Sequence, residues 1–196
     1  MLPDIVLQTD FGLTTGFVAS MYGVIRMVDQ SLDVFDLNHE IRPFDMRQGS
    51  FLLRDTIPYW KGGTVFVSVV DPGVGTARRG CVAKLNNGSF VVTPDNGSLT
   101  AILDWVIAVR EIDESVNRLK GSDKANSFHG RDVFAYTAAR LASGIINFEG
   151  VGPEYPVNEI VTFETTHGTV APGRAEGEIA GCTKHFGGVG TNIDVD

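Results

Sequence analysis

The chain has 196 residues, 43% hydrophobic and 20% charged, which is enough for one well-buried core and typical of a globular rather than a disordered protein. A formal charge of -8 with no basic run excludes a phosphate-neutralising nucleic-acid scaffold and favours a small-molecule partner. The two cysteines, Cys81 and Cys182, lack CxxC spacing, no apolar stretch approaches the roughly 20 residues of a membrane span, and the start has no secretory pattern. A cytoplasmic protein without a disulfide framework or zinc site is expected.

In chain order, Ile5 to Leu7 reads as a buried strand that runs into the polar segment Gln8-Thr9-Asp10-Phe11-Gly12. Phe17, Met21, Val24, Ile25 and Val28 fall at helical spacing, and residues 32–37 follow as a second strand, giving a β-α-β unit. A helix is expected over 47–58, and the β-branched run 64–70 reads as a strand buried on both faces and central to the sheet. Asn86-Asn87-Gly88 between two apolar runs signals a hairpin. Residues 99–105 look helical, 108–112 extended, and 131–143 helical up to Gly144. The expected fold is α/β, with a largely parallel sheet and flanking helices in an N-terminal catalytic domain, 1–155. A short β-rich region, 156–196, follows, with strand-like segments at 159–164 and 176–179.

Four polar segments sit where strands end, which is where open α/β sheets bind ligands. Val70-Asp71-Pro72-Gly73-Val74-Gly75-Thr76-Ala77-Arg78-Arg79 follows the central strand. It is either a tight turn with a surface ion pair or a ligand loop in which Asp71 and Arg78 face one another. Ser127-Phe128-His129-Gly130-Arg131-Asp132 precedes a helix, with His129 able to titrate near neutrality and Arg131-Asp132 read as orienting the loop. Asp10 is placed to accept protons from ribose hydroxyls, yet neither GxGxxG nor a P-loop occurs, so a nucleoside without a polyphosphate is favoured. Asp95-Asn96-Gly97 offers Asn96 to a substrate edge or is a capped turn, and Phe44 is either an aromatic wall or core, with Asp45 as a cap.

Taken in order, TDFG at Thr9, NHEI at Asn38, PFD at Pro43, GTVFVSVVDPGVGT at Gly63, PDNG at Pro94 and FHGRD at Phe128 resemble the S-adenosyl-L-methionine hydroxide adenosyltransferase family, relatives of the fluorinase and chlorinase enzymes. The resemblance implies attack of a nucleophile at the ribose C5′ of S-adenosylmethionine, releasing methionine, with no metal or other cofactor. It implies that Asp71, Arg78 and His129 hold the water, and that Asp10 and Phe44 contact the adenosyl group. Phe11, Asp95, Asn96, Gly130 and Asn192 are the further candidate substrate contacts. Halogenating relatives carry Tyr in place of Asp71, so hydroxide is favoured over halide, giving adenosine and L-methionine. A cytoplasmic homotrimer with the active site at a subunit interface is implied as well. Against the family pattern, Thr183 stands for an acidic residue and Gly188 for a substrate-contacting Asn, and the residues up to Asp196 are expected to hold only a small part of the family's C-terminal β-barrel. A catalytically silent adenosyl-ligand binding protein and a halide-using transferase are the alternatives.

Overall fold

In β1 (Ile5–Thr9) neighbouring side chains face opposite apolar layers, Ile5 and Leu7 on one side and Val6 on the other. The same alternation recurs in β3 (Val65–Val69), where Val65, Val67 and Val69 face the first layer and Phe66 the second. Both strands are buried along their whole length, as a near-continuous apolar run requires when both faces of a sheet are covered. The computed structural model describes residues 2–124 and 127–164, with the backbone of two short strands beyond, Thr169–Ala171 and Arg174–Glu176.

Helix α1 (Phe17–Val28) follows β1 and presses Met21 and Ile25 into the first layer. It shares that layer with α3 (Tyr136–Ala142), which supplies Ala138, Ala139 and Leu141. Helix α2 (Met46–Thr56) covers the opposite face through Leu53, and Asp45 caps it by accepting from the Gln48 amide at 2.9 Å. Residues 99–105, read as helical, form a 3-10 helix, Thr100–Trp105, on the same face. Leu99, Ile102 and Trp105 recur every third residue, and a 3-10 turn stacks positions three apart on one side.

The sheet has seven strands in the order β2-β1-β3-β5-β4-β6-β7, where β2 is Val34–Asn38, β4 Gly80–Leu85, β5 Phe90–Pro94, β6 Val106–Glu111 and β7 Glu154–Tyr155. The α/β class holds. Parallel pairing is confined to the half built from β2, β1, β3 and β5, whereas β4, β6 and β7 pair antiparallel. The Asn86-Asn87-Gly88 turn closes the β4–β5 hairpin, with Gly88 at φ 85, a left-handed conformation that glycine adopts freely. That hairpin inserts β5 between β3 and β4, so these two consecutive strands are not neighbours.

Beyond β7 the strand expected at 159–164 does not form. Val157–Glu159 is a 3-10 turn, Ile160 is buried in the second layer, and the Val161 and Phe163 amides donate to side-chain oxygens of Asp95 and Thr100. Those amides are therefore satisfied without a strand partner. Residues 177–179 of the second expected strand lie outside the described residues. Among the described residues no helix is long and apolar enough to cross a membrane.

Candidate active site

Asp71 is separated from the end of β3 by Val70 alone, and Arg78 from the start of β4 by Arg79 alone. The segment between them folds back in two successive turns, Val74 N donating to Asp71 O at 3.3 Å and Thr76 N to Gly73 O at 3.1 Å. Gly75 takes φ 76, and a Cβ on Gly73 would stand 3.2 Å from Arg78 Cγ, so glycine at both positions lets the arch close. The closed arch brings the Arg78 guanidinium onto the Asp71 carboxylate. Nε donates to Oδ1 at 2.9 Å and Nη2 donates to Oδ2 at 2.5 Å, a two-pronged pair in which the side chains are only 10% and 5% exposed. The turn with a surface ion pair is thereby excluded, since this pair is buried.

His129 enters from the far side of the sheet sequence. It stands immediately before Gly130–Ala135, where the expected α-helix begins with wide π-type turns before continuing as α3. Such turns are frequent at functional sites. Arg78 Nη2 also lies 3.0 Å from His129 Nδ1, so a single guanidinium bridges the carboxylate and the imidazole. As an arginine can only donate, Nδ1 is the acceptor, and a neutral ring carries its proton on Nε2. Burial pushes the His129 pKa below its ordinary value; Glu114 and Asp71 oppose that shift, while Arg78 and Arg118 add to it. The imidazole is thus held neutral.

Two donors of this group are left over. Arg78 Nη1 and His129 Nε2 are buried without a hydrogen-bond partner among the described residues. Asp71 and His129 line a cavity of about 300 Å³ together with Phe11, Phe17, Val69, Val74, Ser127, Phe128 and Gly130. Its aromatic wall is three rings in edge-to-face contact, Phe11–Phe17 at 6.0 Å, Phe11–Phe128 at 5.6 Å and Phe17–Phe128 at 5.2 Å between centroids. A Cβ on Gly130 would stand 3.0 Å from Phe11 Cζ, so the wall closes down on a bare backbone. A small, largely apolar chamber lined by one carboxylate and one imidazole suits a compact oxygen species held away from bulk water.

The remaining candidates divide. Asp10 and Phe44, 34 residues apart, are joined by donation from the Phe44 amide to Asp10 Oδ2 at 2.9 Å. Phe44 has φ 66 and is 65% exposed, so it is not core; its strained backbone aims the amide at the carboxylate. Burial and the Asp71 charge raise the Asp10 pKa, partly countered by that amide. Asp95, expected among substrate contacts, has both oxygens committed internally. Arg79 Nε and Tyr155 Oη donate to Oδ2, each at 3.1 Å, and Val161 N donates to Oδ1 at 2.8 Å. Asn96 likewise turns inward, donating to Val70 O at 2.9 Å. Arg131 pairs with its neighbour Asp132, as the orienting reading required. Asn192, Thr183 and Gly188 lie outside the described residues.

Sequence reasoning missed Phe17, Val69, Val74, Ser127 and Phe128 as lining residues. Phe17 fitted the apolar stripe of α1, yet it is half-exposed at the cavity. Its position at the junction that follows the Asp10 loop was the available signal.

Residues 5–152 match the SAM hydroxide adenosyltransferase N-terminal domain. A (R)-S-adenosyl-L-methionine hydrolase of Salinispora arenicola is 44% identical over 146 residues, 72% of this chain and 54% of that protein, so the chain spans about half the length of that relative. A second (R)-S-adenosyl-L-methionine hydrolase, from Methanocaldococcus jannaschii, is 32% identical across 100% of this chain and 69% of its own. Among solved structures, a conserved protein of Thermotoga maritima superposes with a TM-score of 0.79 at 35% identity, covering 85% of this chain and 64% of that one. On the match from residue 5 to residue 152, the chain belongs to the SAM hydroxide adenosyltransferase family.

Proposed function

We propose that the chain carries the water-activating site of a hydrolase that converts S-adenosyl-L-methionine and water to adenosine and L-methionine. The observation that carries this reading is the Asp71–Arg78–His129 cluster, in which Arg78 bridges the two members, Asp71 and His129, that line an otherwise apolar cavity. The hydrolase names of the relatives support it.

The sulfonium of the substrate is already a good leaving group, so no acid is needed to release methionine. What the protein must supply is an aligned, partly stripped water. Arg78 Nη1 and His129 Nε2 donate to the water oxygen and stabilise hydroxide character. Asp71 accepts the proton, and the Arg78 contacts hold its carboxylate in place to do so. The new C5′–O bond forms as the C5′–S bond breaks, its electron pair leaving on sulfur, and the proton passes from Asp71 to solvent. Asp10 binds the ribose hydroxyls and Phe44 packs against the adenosyl group. Phe11 and Gly130 shape the cavity wall. A carboxylate in the nucleophile position repels a halide, which favours water over chloride or fluoride.

A cytoplasmic homotrimer with the site at the subunit interface belongs to the same reading. Leu13, Phe17, Phe44 and Val74 are all exposed around the site, an apolar rim that a neighbouring subunit would cover. The test is incubation with S-adenosylmethionine in ¹⁸O-labelled water. Equimolar adenosine and methionine are expected, with the label in the 5′-hydroxyl. Tight binding without product would select the silent binding protein, and a 5′-chloro nucleoside formed in chloride would select the halide-using transferase.

A further inference from the structure

Because β5 lies between β3 and β4, the segment that carries Asp71 and Arg78 must cross the carboxyl end of β5. The turn leaving β5 is Asp95-Asn96, and these two consecutive residues hold the two ends of the arch. Asn96 Nδ2 donates to the Val70 carbonyl, one residue before Asp71, at 2.9 Å. Asp95 N donates to the Arg79 carbonyl, one residue after Arg78, also at 2.9 Å, and the Asp95 carboxylate pairs with the Arg79 side chain at 2.9 Å.

We propose that Asp95 and Asn96 are positioning residues that set the spacing of Asp71 and Arg78 and thereby hold Arg78 against His129. The inference deepens the hydrolytic reading of the trio and rests on it for the meaning of turnover.

Asp95 is suited to this as a fixed point. Its side chain is 0% exposed and receives the Tyr155 hydroxyl at 3.1 Å and the Val161 amide at 2.8 Å. Arg79 is clamped in turn, with its guanidinium 4.1 Å from the Tyr155 ring centroid and Nη2 donating to the Glu159 carbonyl at 2.8 Å. Asn96 is braced through Oδ1, which accepts from the Ser98 hydroxyl at 2.7 Å. None of Arg79, Asp95, Asn96 and Tyr155 lines the cavity, so their influence on the water passes through the arch. Two bonds to backbone carbonyls, one on either side of the arch, restrain the separation of the jaws more tightly than side-chain packing alone.

The experiment compares Asn96→Ala and Tyr155→Phe with the parent protein. The first removes one anchor; the second removes a donor to Asp95 and keeps the ring beside Arg79. Two quantities are read: kcat and KM for S-adenosylmethionine, and the titration of His129 by NMR of histidine-labelled protein, assigned with His129→Gln. The groups acting on His129 are Glu114 and Asp71, which raise its pKa, and Arg78 and Arg118, which lower it. Release of Arg78 from Nδ1 therefore moves the titration up.

For Asn96→Ala, kcat is expected to fall about 10- to 100-fold with KM within about threefold, and the His129 midpoint to rise. Tyr155→Phe should move both quantities the same way by a smaller factor, and it carries the comparison if Asn96→Ala does not fold. Folded variants with the parental His129 titration, or with a loss confined to KM, would overturn the proposal. If the parent protein forms no adenosine, the hydrolytic reading fails by itself, while the His129 titration still decides the positioning role.

Discussion

Asp71→Asn is the most demanding perturbation, because shape is kept while the charge is lost. The Arg78 guanidinium is 10% exposed and its Nη1 already lacks a partner among the described residues. In the variant its remaining contacts are His129 Nδ1 at 3.0 Å and the Phe134 ring at 5.1 Å. Breaking one side of a buried ion pair costs about 3–5 kcal/mol, and the carboxamide oxygen recovers about 1 kcal/mol by accepting one bond. A net loss of about 2–4 kcal/mol follows, or a fall in Tm of roughly 4–16 °C for a chain of this size. Losing the proton acceptor should lower kcat about 10²- to 10⁴-fold while leaving KM within about threefold. Urea denaturation with parallel steady-state kinetics measures both. A variant with parental stability would refute the burial argument, and a kcat within threefold of the parent would refute the assignment of Asp71 as proton acceptor.

Gly130→Ala places a methyl 3.0 Å from Phe11 Cζ and 3.3 Å from Phe128 Cε2, so it should cost about 1–3 kcal/mol in thermal unfolding and constrict the cavity, raising KM. Phe44→Gly relieves a left-handed backbone worth about 1 kcal/mol, which offsets the roughly 0.5–1 kcal/mol of extra unfolded-state freedom. Its stability should therefore stay near parental by urea titration, while calorimetry shows weaker binding of an adenosyl ligand. The depressed pKa of His129 makes the rate fall only on the acid side, below the ordinary histidine value of about 6.5. Between that value and the lower folded one the unfolded chain binds more protons, so this group makes stability rise with pH across the window and stay level above it. Activity and denaturation midpoints between pH 5 and 8 check both signs; an acid limb centred above 6.5 would contradict the buried neutral imidazole.

Local pattern made much of this molecule legible before its structure. The β-branched apolar run through Val65 to Val69, the 3.6-residue stripe from Met21 to Ile25 and the Asn-Asn-Gly turn each depend on neighbours in sequence, and each formed as read. Asp71 and Arg78, seven residues apart, fell in the same class. Long-range choices were not legible. Nothing in the β4–β5 hairpin says that β5 rather than β4 will pair with β3, and half of the expected parallel character was lost to that hairpin and its antiparallel neighbours. The internal partners of Asp95 were not legible for a related reason. Its turn chemistry is local, but its partners Arg79 and Tyr155 lie 16 and 60 residues away, and only the folded sheet brings them to the carboxylate.

The crossing of β5 also bears on how freely this site can change. Between Val69 and Gly80 the chain has the ten residues 70–79 to bridge two strand spacings. That gap is about 10 Å, whereas ten extended residues reach about 33 Å. The connection is therefore slack by a wide margin, and the slack is what folds inward to present the pair. Residues inserted at its crown, 73–76, would break the two turns and the glycine contacts that close the arch, and so would separate Arg78 from Asp71. A residue inserted between Val69 and Val70 would instead shift Val70 away from Asn96 and pull one jaw out of register. The surplus length is therefore not spare: it is fixed inside by its own turns and outside by the two carbonyls at Val70 and Arg79.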